Sequence, residues 1–387
     1  MTPADGRPGA AAAIEDALWD AARRHLPAHF VGGPALTAAV VDRSRRYTSD
    51  RERLAAPARG HAEADLAARA LFFTVADAPK ATIVLDELGD HVAWTGDAPL
   101  RVLDLGAGCG AMTLGALAHA AAAGATRPLA VDAIDRDAGA LAILRDAVPA
   151  AARALGVAAT VATHAHTLTG GGIPGDASYE LILVGTMLNE LAEPDAHAVA
   201  RAALARLAPG GALVIVEPAL RDTTRALHRL RDAAITGGWA HVFAPCTRRA
   251  APCPMLADER DWCHEDRPGA LPPRAARLAS VTGLRDGGLK YSYLVLRHAP
   301  GHVGAPGAVR VIGQPHRSKG KLEAPACGDA GAVTLRLLSR HRGEAARAFD
   351  RARRGDVLVL DPAGPVEVRD NPPRDGAAAP RIDPDTP

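Results

Sequence analysis

The chain has 387 residues, 48 % of them hydrophobic but only 3 % aromatic, and a formal charge of +1. That length suits two or three domains of ordinary size, with cores built from Ala, Val and Leu. No apolar run approaches the ~20 residues of a membrane span. Asp5, Glu15, Asp16 and Asp20 near the start do not suit a signal or transit peptide, so the sequence reads as cytoplasmic with no membrane partner.

Residues 10–26 predict a helix, with Ile14, Leu18, Ala21, Ala22 and Leu26 on one face. Residues 61–90 predict further helix, punctuated by Pro79, and 1–98 form a helical N-terminal region ending in the turn Gly96-Asp97-Ala98-Pro99. Strands follow at 100–105, 129–135, 159–163, 179–185 and 211–217, alternating with helices at 110–123, 137–155 and 194–207. Such alternation means an α/β unit, here 99–240, with a parallel sheet and right-handed crossovers. Residues 241–270 break the pattern, being rich in Cys, Pro and charge. A strand at Lys290–Leu296 and short strands at 308–312, 332–337 and 356–360, with a helix at 342–353, predict a small basic β module over 271–360. Residues 361–387, rich in Pro and Asp, read as a disordered tail.

The loop Asp104-Leu105-Gly106-Ala107-Gly108-Cys109-Gly110 joins an apolar strand to a helix. Glycines suit a turn this tight, where a ligand must come close to the backbone. A dinucleotide is the obvious competitor for such a loop. Three details favour S-adenosylmethionine. Asp104 stands at the strand end, where a carboxylate can hold the ligand's ammonium group. The spacing is Gly106-x-Gly108-x-Gly110. Asp135, 25 residues after Gly110, ends the second strand, where an acid accepts from ribose hydroxyls.

These residues resemble the class I methyltransferase family over roughly 98–220, which implies a Rossmann-like parallel sheet and S-adenosylmethionine as methyl donor. In that family the loop after the fourth strand borders the reactive methyl group. Here it reads Val184-Gly185-Thr186-Met187-Leu188-Asn189-Glu190-Leu191, making Asn189 and Glu190 the candidate substrate-side groups, with helix capping as the alternative role. The Asp/Asn-Pro-Pro-Tyr/Phe motif of enzymes that methylate exocyclic amines is absent from that loop; Asp370-Asn371-Pro372-Pro373 follows no such strand.

Five cysteines, an odd number, point away from a disulfide framework and towards metal binding or free thiols. Cys109, inside the glycine loop, reads as a small packing residue. Cys246, Cys253, Cys263 and Cys327 are separated by six, nine and sixty-three residues. The first three occupy a Pro-rich segment with little to bury, which a metal centre would stabilise. Four thiolates suit zinc or an iron–sulfur cluster. The alternatives are small buried hydrophobes, or a Pro-Cys methyltransferase nucleophile at Pro245-Cys246 or Pro252-Cys253. The latter dipeptides come well after the fifth strand. Residues 267–354 hold 17 Arg or Lys against 5 Asp or Glu, which suits a polyanion-facing surface or a solvated face.

In combination, Leu188-Asn189-Glu190-Leu191, the Pro-Cys…Cys-Pro…Trp-Cys-His segment, Tyr291-Ser292-Tyr293-Leu294 and the lone Cys327 resemble a narrower family. It is that of the methyltransferase-like protein of the mitochondrial small ribosomal subunit and its bacterial relatives, over roughly 60–360. The resemblance implies a role in small-subunit assembly and a [4Fe–4S] cluster on Cys246, Cys253, Cys263 and Cys327. It does not imply that methyl transfer is retained. It also gives the basic segment a partner: Arg310, Arg317, Lys319, Lys321, Arg336, Arg340 and Arg342 become candidate contacts to ribosomal RNA phosphates, and Tyr291 and Tyr293 candidates for base stacking or strand packing. Two departures stand out. Arg248 and Arg249 replace a His often found soon after the first cysteine, and Glu265-Asp266-Arg267 follow Trp-Cys-His where an aromatic is expected. His264 reads as a surface or supporting group rather than a ligand. The competing functions are a small-molecule or protein methyltransferase with a structural zinc site, and a non-catalytic RNA-binding scaffold.

Overall fold

The computed structural model describes residues 9–48, 62–168, 172–284, 288–301 and 303–370. Four helical pieces come first: α1 (Ala10–His25), α2 (Gly33–Thr48), α3 (Ala62–Ala68) and α4 (Thr74–Asp86). A π-helical turn, Arg69–Phe73, links α3 to α4, so the chain stays helical from 62 to 86 with Pro79 inside it. The α2 helix is not foreseen by apolar periodicity. Its inward face carries Arg43 and Arg46 beside Leu36, Ala39 and Val40, and the charges hide the helical pattern.

The α/β unit contains β1 (Leu100–Leu105), α5 (Ala111–Ala122), β2 (Leu129–Asp135), α6 (Ala138–Leu155), β3 (Ala159–Ala165), β4 (Tyr179–Gly185), α7 (Glu193–Ala205), β5 (Leu207–Pro218) and α8 (Arg221–Thr236). It continues through β6 (His241–Ala244), β7 (Glu265–Pro268), α9 (Pro273–Thr282) and β8 (Gly288–Arg297). The sheet runs β3-β2-β1-β4-β5-β8-β6, with β7 also paired to β8. Strands β1 to β5 are parallel, whereas β8 runs antiparallel to β5, β6 and β7. Between β1 and β4 the strand order reverses. Connections there leave on opposite faces and open a crevice at the carboxyl ends of the strands, the usual ligand position in such sheets.

The N-terminal helices extend this core. Helix α1 packs on α6, and α4 on α5, with Gly115 of α5 leaving no room for a Cβ against Ala78 and Ala81. The sheet's two faces carry separate apolar layers, one with Leu71, Val102 and Leu117, the other with Leu103, Ile182 and Leu213.

A second, antiparallel sheet follows: β9 (Ala308–Val311), β10 (His316–Ser318), β11 (Lys321–Gly328), β12 (Gly331–Leu338), β13 (Val357–Val359) and β14 (Val366–Asp370), in the order β13-β9-β11-β12-β14 with β10 on β11. It packs its own core of Val311, Leu322, Leu335, Leu337 and Phe349. Three expectations need correction. The strand at 288–297 lies in the large sheet, not in the basic module, because it pairs beside β5 and its apolar residues enter both layers of that sheet, Tyr293 and Val295 one, Leu294 and Leu296 the other. The helix expected over 342–353 is reduced to a 3-10 turn and α10 (Arg347–Asp350). Residues 366–370 form an edge strand rather than disordered tail; 371–387 lie outside the described residues.

Candidate functional site

The three loop glycines adopt φ of +68°, +51° and +96°, a backbone that glycine alone tolerates freely. A Cβ on Gly106 would overlap the Met187 side chain, whereas one on Gly108 would meet nothing within 4 Å. Gly108 therefore marks open space at the strand ends. The Gly108 and Asp137 amides donate to the two Asp135 carboxylate oxygens, each at 2.8 Å. Asp104 is fully buried; its Oδ2 accepts from Thr113 Oγ1 at 2.6 Å and Thr113 N at 3.2 Å. Its Oδ1 has no partner among the described residues. Burial pushes the Asp104 carboxyl up to about 7, outweighing the two Thr113 donors. Cys109 is buried and its thiol pushed up to about 12 by burial, in keeping with a packing residue.

The loop after β4 contains Thr186, the one described non-glycine residue with positive φ, at +52°. Such backbone strain gathers at functional sites. Beyond it, Leu188 N and Asn189 Nδ2 donate to the two Glu217 oxygens at 2.9 and 2.7 Å. Glu217 is buried at the end of β5, and burial pushes it up to about 7 despite these donors. Glu190 accepts from Arg136 at 3.1 Å, and burial raises its carboxyl above the ordinary range. Neither Asn189 nor Glu190 caps α7, whose Ncap is Ala192.

The N-terminal helices bring further charge to this edge. Asp65 accepts from Arg43 (3.1 Å), Arg46 (2.6 Å) and Arg69 (3.2 Å), and Arg69 also pairs with Asp137. Sequence reasoning misses this cluster because its members are spread over three helices. Glu217 was within its reach, as the acid ending a predicted strand.

The four downstream cysteines converge. Cys246, Cys253, Cys263 and Cys327 line one cavity with Arg231, Arg248, His264, Glu265, Tyr293 and Arg310. One stripe of α8 holds the cysteine segment, at the i, i+3, i+6, i+7 spacing of a helix face, and Arg231 of that stripe lines the cavity. Arg225 donates to the carbonyls of Met255, Asp258 and Asp261 at 2.7–2.8 Å. His228 Nε2 lies 3.5 Å from Cys263 Sγ. Arg231 donates to the Arg248 and Ala250 carbonyls at 2.9 Å, and Asp232 accepts from Cys253 N at 2.8 Å. Cys327 arrives on β11, fastened by Thr247 Oγ1 donating to its carbonyl at 3.0 Å. Burial, reinforced by the neighbouring cysteines, pushes the Cys253 and Cys327 thiols up to about 12 and raises Cys263 well above its ordinary value. Among the described residues, no group of three or more His, Cys, Asp or Glu side chains is set to hold a metal ion. His264 is held by Arg354 at 2.7 Å.

The basic residues are less free than their sequence suggests. Arg310, expected to meet RNA, is 3 % exposed and bound to Glu87 at 2.6 Å, with Glu265 at 3.8 Å. A guanidinium on an inward β9 position needs such carboxylates, and its charge is spent on them. Arg336 and Lys321 share Glu323, while Arg317 and Arg342 share Asp350. Lys319 and Arg340 are exposed. Tyr291 and Tyr293 are buried in β8, which leaves neither to stack on a base. Among the described residues no helix is long and apolar enough to cross a membrane.

A mixed, mainly parallel α/β sheet with this glycine loop at the end of its first strand is of the class I methyltransferase type. The family model described as "Mitochondrial small ribosomal subunit Rsm22" matches residues 72–359, and the chain belongs to that family. Solved structures similar to it include a putative class I S-adenosylmethionine-dependent methyltransferase from Listeria monocytogenes (10 % identity over 77 % of this chain and 90 % of that one, TM-score 0.40). Others are an O-methyltransferase family protein from Burkholderia thailandensis (16 %, 68 % and 73 %, TM-score 0.38) and magnesium protoporphyrin IX methyltransferase from Synechocystis PCC 6803, solved with bound SAM (12 %, 67 % and 97 %, TM-score 0.34). No curated protein matches the chain significantly.

Proposed function

We propose that this chain is a cytoplasmic, methyltransferase-like protein that binds S-adenosylmethionine and an iron–sulfur cluster and acts on the small ribosomal subunit, with ribosomal RNA as partner and candidate methyl acceptor. The observation that carries it is the meeting of four cysteines, drawn from two separate parts of an Rsm22-family chain, on one cavity. The donor set fits an anionic cluster: four thiols and a buried Arg231 whose Nε has no partner among the described residues, around one cavity.

At the other site, S-adenosylmethionine when bound supplies an electrophilic methyl group. Open space over Gly108 and the unpartnered Asp104 Oδ1 fit such a ligand. Asp104 would take its ammonium and Asp135 its ribose hydroxyls. Asn189, held by Glu217, would orient an acceptor, and Glu190 would hold or take a proton. A scaffold reading has one observation in its favour. Both Asp135 oxygens already accept from backbone amides of the chain, and Met187 lies against Gly106.

Three measurements decide. Anaerobically purified protein should be brown with about four irons per chain; a colourless protein with one zinc removes the cluster. The chain should co-sediment with small subunits. Asp104→Ala should abolish S-adenosylmethionine binding by calorimetry, and normal subunit assembly by that variant would favour the scaffold.

A further inference from the structure

Arg231 is 2 % exposed and is among the largest fully buried side chains among the described residues. A guanidinium that deep costs several kcal/mol unless anions surround it. Among the described residues one carboxylate pairs with it, Asp232, which also accepts from Cys253 N. The contrast with Arg310, across the same cavity, is direct. Arg310 has two carboxylates, Glu87 and Glu265, and its charge is accounted for. Among the described residues Arg231 has two neutral carbonyls, one shared acid, and an Nε without a partner. What remains around it is sulfur. Cys246, within hydrogen-bonding reach of the guanidinium, and Cys253, Cys263 and Cys327 line the same cavity. The missing negative charge is the charge these cysteines would carry as ligand thiolates.

We infer that Arg231 is the counter-charge of the cysteine cavity, a positioning residue that neutralises the thiolates, donates towards the Cys246 sulfur and sets the reduction potential of the group they hold. This rests on the cluster reading above. Hydrogen bonds to sulfur and local charge are the protein's means of tuning such a centre. Reduction adds an electron to an already anionic cluster, and a buried positive charge beside it favours that step. Arg231 also ties the loop before Cys253 through the Arg248 and Ala250 carbonyls, so charge and clamp must be separated.

The test is redox titration of anaerobically purified full-length chain, followed by visible absorbance and electron paramagnetic resonance, with iron counted per chain. Arg231→Gln should keep iron but move the midpoint to more negative potential. Arg231→Lys keeps the charge and loses the clamp; its midpoint should stay near wild type while the cluster is lost faster to a chelator. If Arg231→Gln cannot be obtained folded, Asp232→Asn keeps the guanidinium and removes its one carboxylate, and should move the midpoint to more positive potential. An unchanged midpoint in Arg231→Gln, or in Asp232→Asn where it stands in for it, or an equal shift in Arg231→Lys, overturns the inference while leaving the cluster reading intact. Folded variants that all lack iron, Arg231→Lys included, also overturn it. Wild-type protein without iron overturns the cluster reading instead.

Discussion

Asp104 shows how one side chain can trade stability for binding. Its carboxyl is buried, has one unsatisfied oxygen, and is pushed from 3.8 up to about 7. A raised acid binds its proton more tightly folded than unfolded. Its contribution is therefore complete below the unfolded value and is lost as pH rises towards 7. Asp104→Asn keeps an acceptor for Thr113 and puts a neutral amide where the unpartnered oxygen lies. Urea unfolding should find this variant about 1–3 kcal/mol more stable than wild type at pH 8 and no more stable near pH 4, while S-adenosylmethionine affinity falls. Equal stabilities at pH 8 would mean that the carboxyl is not held up by burial. The glutamate at the end of β5 is different. Glu217 accepts from three donors on Leu188 and Asn189, so Glu217→Gln sets a donor against a donor and should loosen the whole post-β4 loop.

Helix ends do much of the positioning at the scale of elements. Asp137 is the Ncap of α6, accepting from Gly139 N and Ala140 N at 2.9 and 3.1 Å, and is also the partner of Arg69 in the π-turn. Burial opposes its charge, but Arg69 and the two amides together keep it below the ordinary carboxylate range. Asp137→Ala should cost about 1–2 kcal/mol near neutral pH, and the penalty should shrink as pH falls and the wild-type carboxylate takes up its proton. Thermal melts at both pH values measure it, and Asp137→Asn should recover the cap share alone. Helix α8 does for the cysteines what α6 does for the glycine loop. Its inward stripe of Arg225, His228, Arg231 and Asp232 shapes a segment that has little apolar surface of its own.

At the scale of the molecule, one buried ion triad joins three regions. Arg310 of β9 meets Glu87 beyond α4 and Glu265 of β7, and donates to the Gly355 carbonyl at 2.7 Å. Arg310 is also the cross-strand neighbour of Cys327. Arg310→Met would leave Glu87 without its cation and Glu265 with Arg267 alone, and should cost about 3–5 kcal/mol. Limited proteolysis should then release the C-terminal sheet from the α/β unit. Adding Glu87→Gln and Glu265→Gln should restore most of the loss; if it does not, the triad is not what joins the regions.

The strand and helix order from Leu100 to Pro218, the glycine loop and its two acids are legible in the chain because each is a local pattern: a run of apolar residues, a turn that demands glycine, an acid at a strand end. The four cysteines are legible as a set, since thiols in a core-poor segment need a common purpose. Helix α2, with arginines on its buried face, is not legible, nor is the place of β8 in the large sheet. Charge has the same limit. The sequence shows a basic segment but cannot say that Arg310 faces inward to two glutamates while Lys319 faces out. Local composition sets which elements form. Which charges meet is decided by long-range packing, because a guanidinium's partner lies wherever the fold brings an acid within reach. Here the two partners lie as far apart in the chain as Glu87 and Arg310.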